Sequence, residues 1–166
     1  MKITATYKGL LTGALMIATS LLIYATQKSF DNNLQYTVYL LYLAGIVWTL
    51  TAFAKTQDGP VKFGKLFAEG FKCFIVITLL MVLFTIIFLK AHTEFKEQMA
   101  VGYKAELQQQ KNYTPKEIEE MVQKSKSYFV TMLTSMAVFS YLVIGALVTA
   151  VTSALLLAIY KSKNVA

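Results

Sequence analysis

The sequence predicts an all-α protein, a four-helix transmembrane bundle in which helices three and four extend as a helical hairpin beyond the membrane. Three observations carry that prediction. Residues 9–27, 32–54, 73–89 and 127–160 contain no charged side chain, giving uncharged runs of 19, 23, 17 and 34 residues. A bilayer's hydrocarbon core takes about 20 apolar helical residues to cross, so each run reads as a span. Only 15% of the chain is charged and 56% is hydrophobic, whereas soluble domains are about one-quarter charged. The stretch from Lys90 to Lys126 is as long as a loop but built of helix formers, with Gly102 and Pro115 its only breakers. One bundle uses up the 166 residues. The expected organisation is a single integral membrane domain over 1–166, with spans at about 7–26, 34–54, 67–90 and 128–160 and an extramembrane hairpin at 90–128.

Helix one should run from about Tyr7 to Thr26, ending in the polar cluster Gln27, Lys28, Ser29, Asp31, Asn32 and Asn33. A cleavable leader is disfavoured there, because the apolar run exceeds the usual h-region and small residues do not hold both recognition positions near Ala25. Helix two follows from about Leu34 to Ala54. Tyr36, Tyr39 and Tyr42 open it along one side, which suits an interfacial aromatic belt or packing; an aromatic wall for a bound lipid or small molecule is the alternative.

Asp58, Gly59 and Pro60 mark a turn, after which Phe63, Leu66, Phe67, Gly70 and Phe71 recur at helical spacing with Lys62, Lys65 and Lys72 opposite. Two readings stand for this segment. It is a short amphipathic helix in the headgroup region, or simply the first turns of helix three. Cys73, the lone cysteine, reads as an apolar packing residue at the start of the third span.

In the hairpin, Phe95, Met99, Tyr103 and Leu107 step by four, and Ile118, Met121, Val122, Ser125, Tyr128, Phe129 and Met132 step by three and four. The tip should lie near Asn112. Thr114 is a candidate N-cap, Pro115 suits the first helical position and Glu117 completes a capping box. At the base of the first arm, Lys90, Ala91, His92 and Thr93 read as continuous helix.

Close packing in lipid relies on small residues. Ala146, Ala150, Ala154 and Ala158, beside Gly145, Thr149 and Ser153, are expected to face neighbouring helices, as are Gly9 and Gly13 with Ala14 and Ala18. The alternative for these stripes is a homodimer interface.

Charge placement sets the topology. The side carrying both termini holds eight lysines and a net +6, and the other side eight lysines and a net +1. Lysine number alone ties, but on the terminal side the lysines crowd into short segments beside the spans, which points to cytoplasmic termini. That face should attract anionic membrane lipid. With all 16 basic residues lysine, the arginine fork used for phosphate and guanine is missing, and no nucleic acid partner is expected.

The sequence holds no catalytic, cofactor-binding or metal-ligating set. His92 is the only histidine and reads as an exposed helix-surface residue. Glu94, Glu97, Glu106, Glu117, Glu119 and Glu120 include conceivable acid/base pairs but sit where a solvated hairpin needs charge, and Glu120 can pair with Lys124. No ionisable residue or proline interrupts the uncharged runs, which disfavours carboxylate-coupled transport and broken-helix transporters. The protein is expected not to be an enzyme.

The four spans, the Gly59, Pro60, Val61, Lys62, Phe63, Gly64 stretch leading through Phe67, Gly70 and Phe71 into the third span, and the element from Tyr113 to Glu120 in a long third connection resemble the domain-of-unknown-function family 4199. These are small bacterial membrane proteins with no established activity, so no residue inherits a role. The resemblance implies the bacterial cytoplasmic (inner) membrane and a hairpin on the periplasmic side. The functional expectation is an accessory or scaffold subunit of an envelope complex, with a membrane or periplasmic protein partner and a possible homo-oligomer. The alternative is a small oligomeric carrier or channel for a lipid or small solute.

Overall fold

The computed structural model describes residues 4–27, 32–57, 60–110 and 112–163. The turn expected at 28–31, the Asp58 and Gly59 turn, and Lys111 lie outside the described residues. The chain forms five helices there: α1 Ala5–Gln27, α2 Asn32–Lys55, α3 Phe63–Ala91, α4 Glu94–Gln109 and α5 Pro115–Lys163. Four of them, α1, α2, α3 and α5, are long and apolar enough to cross a membrane. At 49 residues, α5 is more than twice as long as a bilayer requires.

Contacts cluster into two compact units, Met1–Met81 with Phe139–Ala166, and Val82–Val138. The first unit packs α1, α2, the first part of α3 and the last part of α5. Its close approaches are made by glycine, as lipid-embedded helices require. A Cβ on Gly45 of α2 would overlap the Thr12 side chain of α1, and one on Gly145 of α5 would overlap the Tyr42 hydroxyl and lie 2.8 Å from the Phe74 ring. Met16, Tyr42, Ile46, Leu50, Leu66 and Ile77 fill the interior. The outside is also apolar. Leu15, Leu22, Leu40, Leu79, Leu147, Val151 and Leu155 are all exposed, a surface suited to hydrocarbon and costly in water.

In the second unit α4 and the first part of α5 form an antiparallel hairpin. Ala100 and Leu107 are buried from α4, and Ile118 and Phe129 from α5. Lys126 on α5 donates to Glu97 on α4. The capping box forms as expected: the Thr114 amide donates to Glu117 Oε2 at 2.7 Å, and the Glu117 amide donates back to Thr114 Oγ1 at 3.4 Å.

Several expectations are corrected. Helix three is not continuous into the hairpin, because α3 stops at Ala91 and α4 begins at Glu94. Thr93 keeps helical backbone angles, φ −69° and ψ −17°, so the interruption is a short turn in which the hydrogen-bond ladder slips while the chain stays near helical geometry. Lys90 faces the carbonyl end of α3 while Glu94 and Glu97 occupy the first turn of α4, a charge arrangement that stabilises two separate helix ends. At the other end, α3 begins at Phe63, which decides between the two readings of the amphipathic segment in favour of the first turns of helix three.

The small-residue stripe on α5 is also displaced. Gly145, Thr149 and Ser153 are buried, whereas Ala146 and Ala150 are half-buried and Ala154 and Ala158 exposed. Hydroxyl and glycine positions turn inward, and the alanine row one residue further round faces outward. On α1, Gly9 and Gly13 pack on α3 as expected, against Cys73, Val76 and Leu80, but Ala14 and Ala18 are exposed.

Candidate functional site

The first unit contains a seam of buried hydroxyl and thiol groups. Thr12 and Ser20 of α1, Tyr42 and Thr49 of α2, Cys73 and Thr78 of α3, and Thr149 and Ser153 of α5 are all buried. Most helix hydroxyls can bond back to a carbonyl one turn earlier, which keeps them satisfied inside an apolar interior. Ser20 does so to Met16 at 2.9 Å and Thr49 to Gly45 at 2.8 Å. Thr49 Oγ1 also lies 3.2 Å from Cys73 Sγ.

Of the two places expected for these tyrosines, interface and packing, Tyr42 takes the second. Tyr36 is 70% exposed, Tyr39 half-buried and Tyr42 fully buried at 0%, so the three tyrosines of one helix side run from the surface into the core. The Tyr42 hydroxyl donates to the Tyr141 carbonyl at 2.8 Å, and its ring meets Tyr141 edge-on at 5.4 Å. Tyr39 extends the cluster, 5.7 Å from the same ring. This ties α2 to α5 by a hydrogen bond that no helix supplies internally.

Two seam hydroxyls, Thr149 Oγ1 and Ser153 Oγ, are buried without a hydrogen-bond partner. Buried polar groups are normally paired, so these are the places where water or a polar ligand would be accommodated. Cys73 is buried and free, as its apolar surroundings led one to expect.

The second unit carries a different constellation. His92, expected on an exposed surface, is half-buried in the link between α3 and α4, its ring stacked on Phe88 at 4.3 Å. Phe84, Phe88, His92 and Phe95 form a ladder of rings along one side. His92 ends there because helix α3 stops one residue earlier and the ring folds back over its last turn, with Nδ1 3.1 Å from the Phe88 carbonyl.

Of the acids weighed for catalysis, Glu97 and Glu117 are each engaged separately. The hydrogen bond from Lys126 holds the Glu97 carboxyl below the usual carboxylate range. The Thr114 backbone amide, followed by its hydroxyl, does the same for Glu117. Both shifts favour the ionised form, which suits an ion pair and a helix cap and not a general acid. Among the described residues no group of three or more His, Cys, Asp or Glu side chains is placed to hold a metal ion.

An all-helical chain with four helices fit to span a bilayer and a capped helical hairpin is therefore of the small polytopic membrane-protein class in its architecture. A family model described as a protein of unknown function, DUF4199, matches residues 7–157, and the chain belongs to that family. No curated protein and no solved structure matches it.

Proposed function

We propose that the protein is a non-enzymatic accessory or scaffold subunit of a bacterial inner-membrane complex, with both termini cytoplasmic and the α4/α5 hairpin offered to a partner on the periplasmic side. The single observation that carries this reading is the construction of the hairpin. It has its own cap, its own cross-arm ion pair and its own buried seam, and yet leaves Val101, Tyr113 and Tyr128 exposed. Aromatic side chains on a rigid element are the usual anchors of protein interfaces. The partner is then a membrane or periplasmic protein, with self-association of the spans as a further mode.

The test is a photoreactive residue placed at Val101 or Tyr128 in intact cells, with Leu147 as a bilayer-facing control. A discrete protein adduct at the two hairpin positions and none at Leu147 is expected. No adduct at either hairpin position removes the scaffold reading.

A second reading, a small oligomeric carrier or channel, is favoured by the unpartnered hydroxyls of Thr149 and Ser153. Flux of a polar solute in reconstituted vesicles that falls in Thr149→Val would support it. Absence of flux for ions, polar solutes and lipid would count against it.

A further inference from the structure

Lys8, at 8% exposure, is the most covered lysine, aspartate or glutamate among the described residues and lies just inside the start of α1. Its ammonium sits over the Trp48 ring of α2, 5.5 Å from the centroid. The next residue, Gly9, rides on α3, where an added Cβ would come within 2.8 Å of the Cys73 carbonyl. The lysine stem is therefore covered where α1 meets α2 and α3, and no ion pair among the described residues includes its head group. The head group itself is not among the buried atoms without a partner, so it keeps an open side where an anion can approach, and the indole face supplies only part of its counter-charge. A covered stem with an open ammonium is the snorkelling arrangement, which presents the head group to lipid headgroups.

The surroundings add to the imbalance. Lys55 closes α2, and Lys62, Lys65 and Lys72 cluster at the start of α3, the same end of the unit as Lys8. Lys72 pairs with Glu69 at 2.7 Å, which leaves the net charge of this end strongly positive. Trp48 remains 45% exposed, so part of the indole stays open beside the Lys8 head group.

We propose that Lys8 and Trp48 form a binding site for the phosphate of an anionic membrane phospholipid, Lys8 supplying the counter-charge and the indole an apolar wall for the glycerol region. A zwitterionic headgroup would bring its own cation toward the surrounding lysines and gains less there. The site is therefore selective for net-anionic lipid.

Trp48 is the chain's only tryptophan, so its fluorescence reports this site without labelling. The protein is reconstituted in vesicles containing bromine-labelled phosphatidylglycerol or bromine-labelled phosphatidylcholine, and quenching of Trp48 is compared. One basic contact at a membrane surface corresponds to about fivefold enrichment, so wild type should prefer the anionic lipid by about that factor. Lys8→Arg should keep the preference, Lys8→Met should equalise the two lipids, and Lys65→Met should keep most of it. Equal quenching of wild type by both lipids overturns the proposal, and that arm needs no variant to fold. It also falls if Lys8→Met retains the preference, if Lys65→Met loses as much as Lys8→Met, or if inorganic phosphate abolishes the preference and shows the site to be one for free anions.

Discussion

Gly145→Ala tests how tightly α5 is locked to α2 and α3. The added methyl overlaps the Tyr42 hydroxyl and stands 2.8 Å from the Phe74 ring. Neither neighbour yields easily. Tyr42 is fully buried and holds the Tyr141 carbonyl at 2.8 Å, and Phe74 is backed edge-on by Phe71 at 5.1 Å. Overpacking costs about 1–3 kcal/mol. Displacing the Tyr42 hydroxyl forfeits a hydrogen bond worth about 0.6–1.7 kcal/mol in a membrane interior. Alanine's better helix propensity returns up to about 1 kcal/mol, leaving a net destabilisation of about 1–4 kcal/mol. Helical circular dichroism during denaturing-detergent titration in mixed micelles measures this. The decisive arm is the double variant with Tyr42→Phe, which removes the obstructing oxygen. It should cost at least about 1 kcal/mol less than the two single changes added together. A neutral Gly145→Ala, or strict additivity with Tyr42→Phe, would refute the packing argument.

Thr114→Ala should destabilise the start of α5 by about 0.5–2 kcal/mol and speed amide exchange there, with little effect on exchange in the first unit. Glu117 has a lowered folded pKa, so its contribution is fully present above the ordinary glutamate value of about 4.3 and is lost as pH falls through the folded value. An NMR titration should place its midpoint below that ordinary value, and Thr114→Ala should move it upward; no movement would contradict the cap geometry. Cys73, fully buried, should resist a membrane-permeant maleimide until the protein is unfolded, as mass spectrometry would show. Rapid labelling of the folded protein would contradict its packing beneath Thr49.

Much of this architecture is legible from charge alone, because lipid tolerates so few ionised groups that four uncharged runs mark four helices. The capping box was readable for a similar reason: Thr114, Pro115 and Glu117 each satisfy a distinct need of a helix start. What was hidden depends on facing. The period of α5 admits either the alanine row or the Gly145, Thr149 and Ser153 row at the interface, and only the contacts with Tyr42, Phe74 and Gly70 decide between them. The slip at His92 and Thr93 left a trace in Lys90, Glu94 and Glu97, whose order along the chain is cation at one helix end and anions at the next. The burial of Lys8 left none. Its place beyond the apolar run reads as solvated until Trp48 and the α3 surface are brought beside it.

The proposed topology puts the opening of α3 on the cytoplasmic side of the bilayer and the hairpin on the periplasmic side. Gly64 and Gly102 offer matched probes, since a Cβ at either position meets nothing within 4 Å. In a Cys73→Ser background, Gly102→Cys should react with a membrane-impermeant maleimide added to intact spheroplasts, and Gly64→Cys only after the membrane is opened. Labelling of both from outside, or of Gly64→Cys alone, would contradict the account.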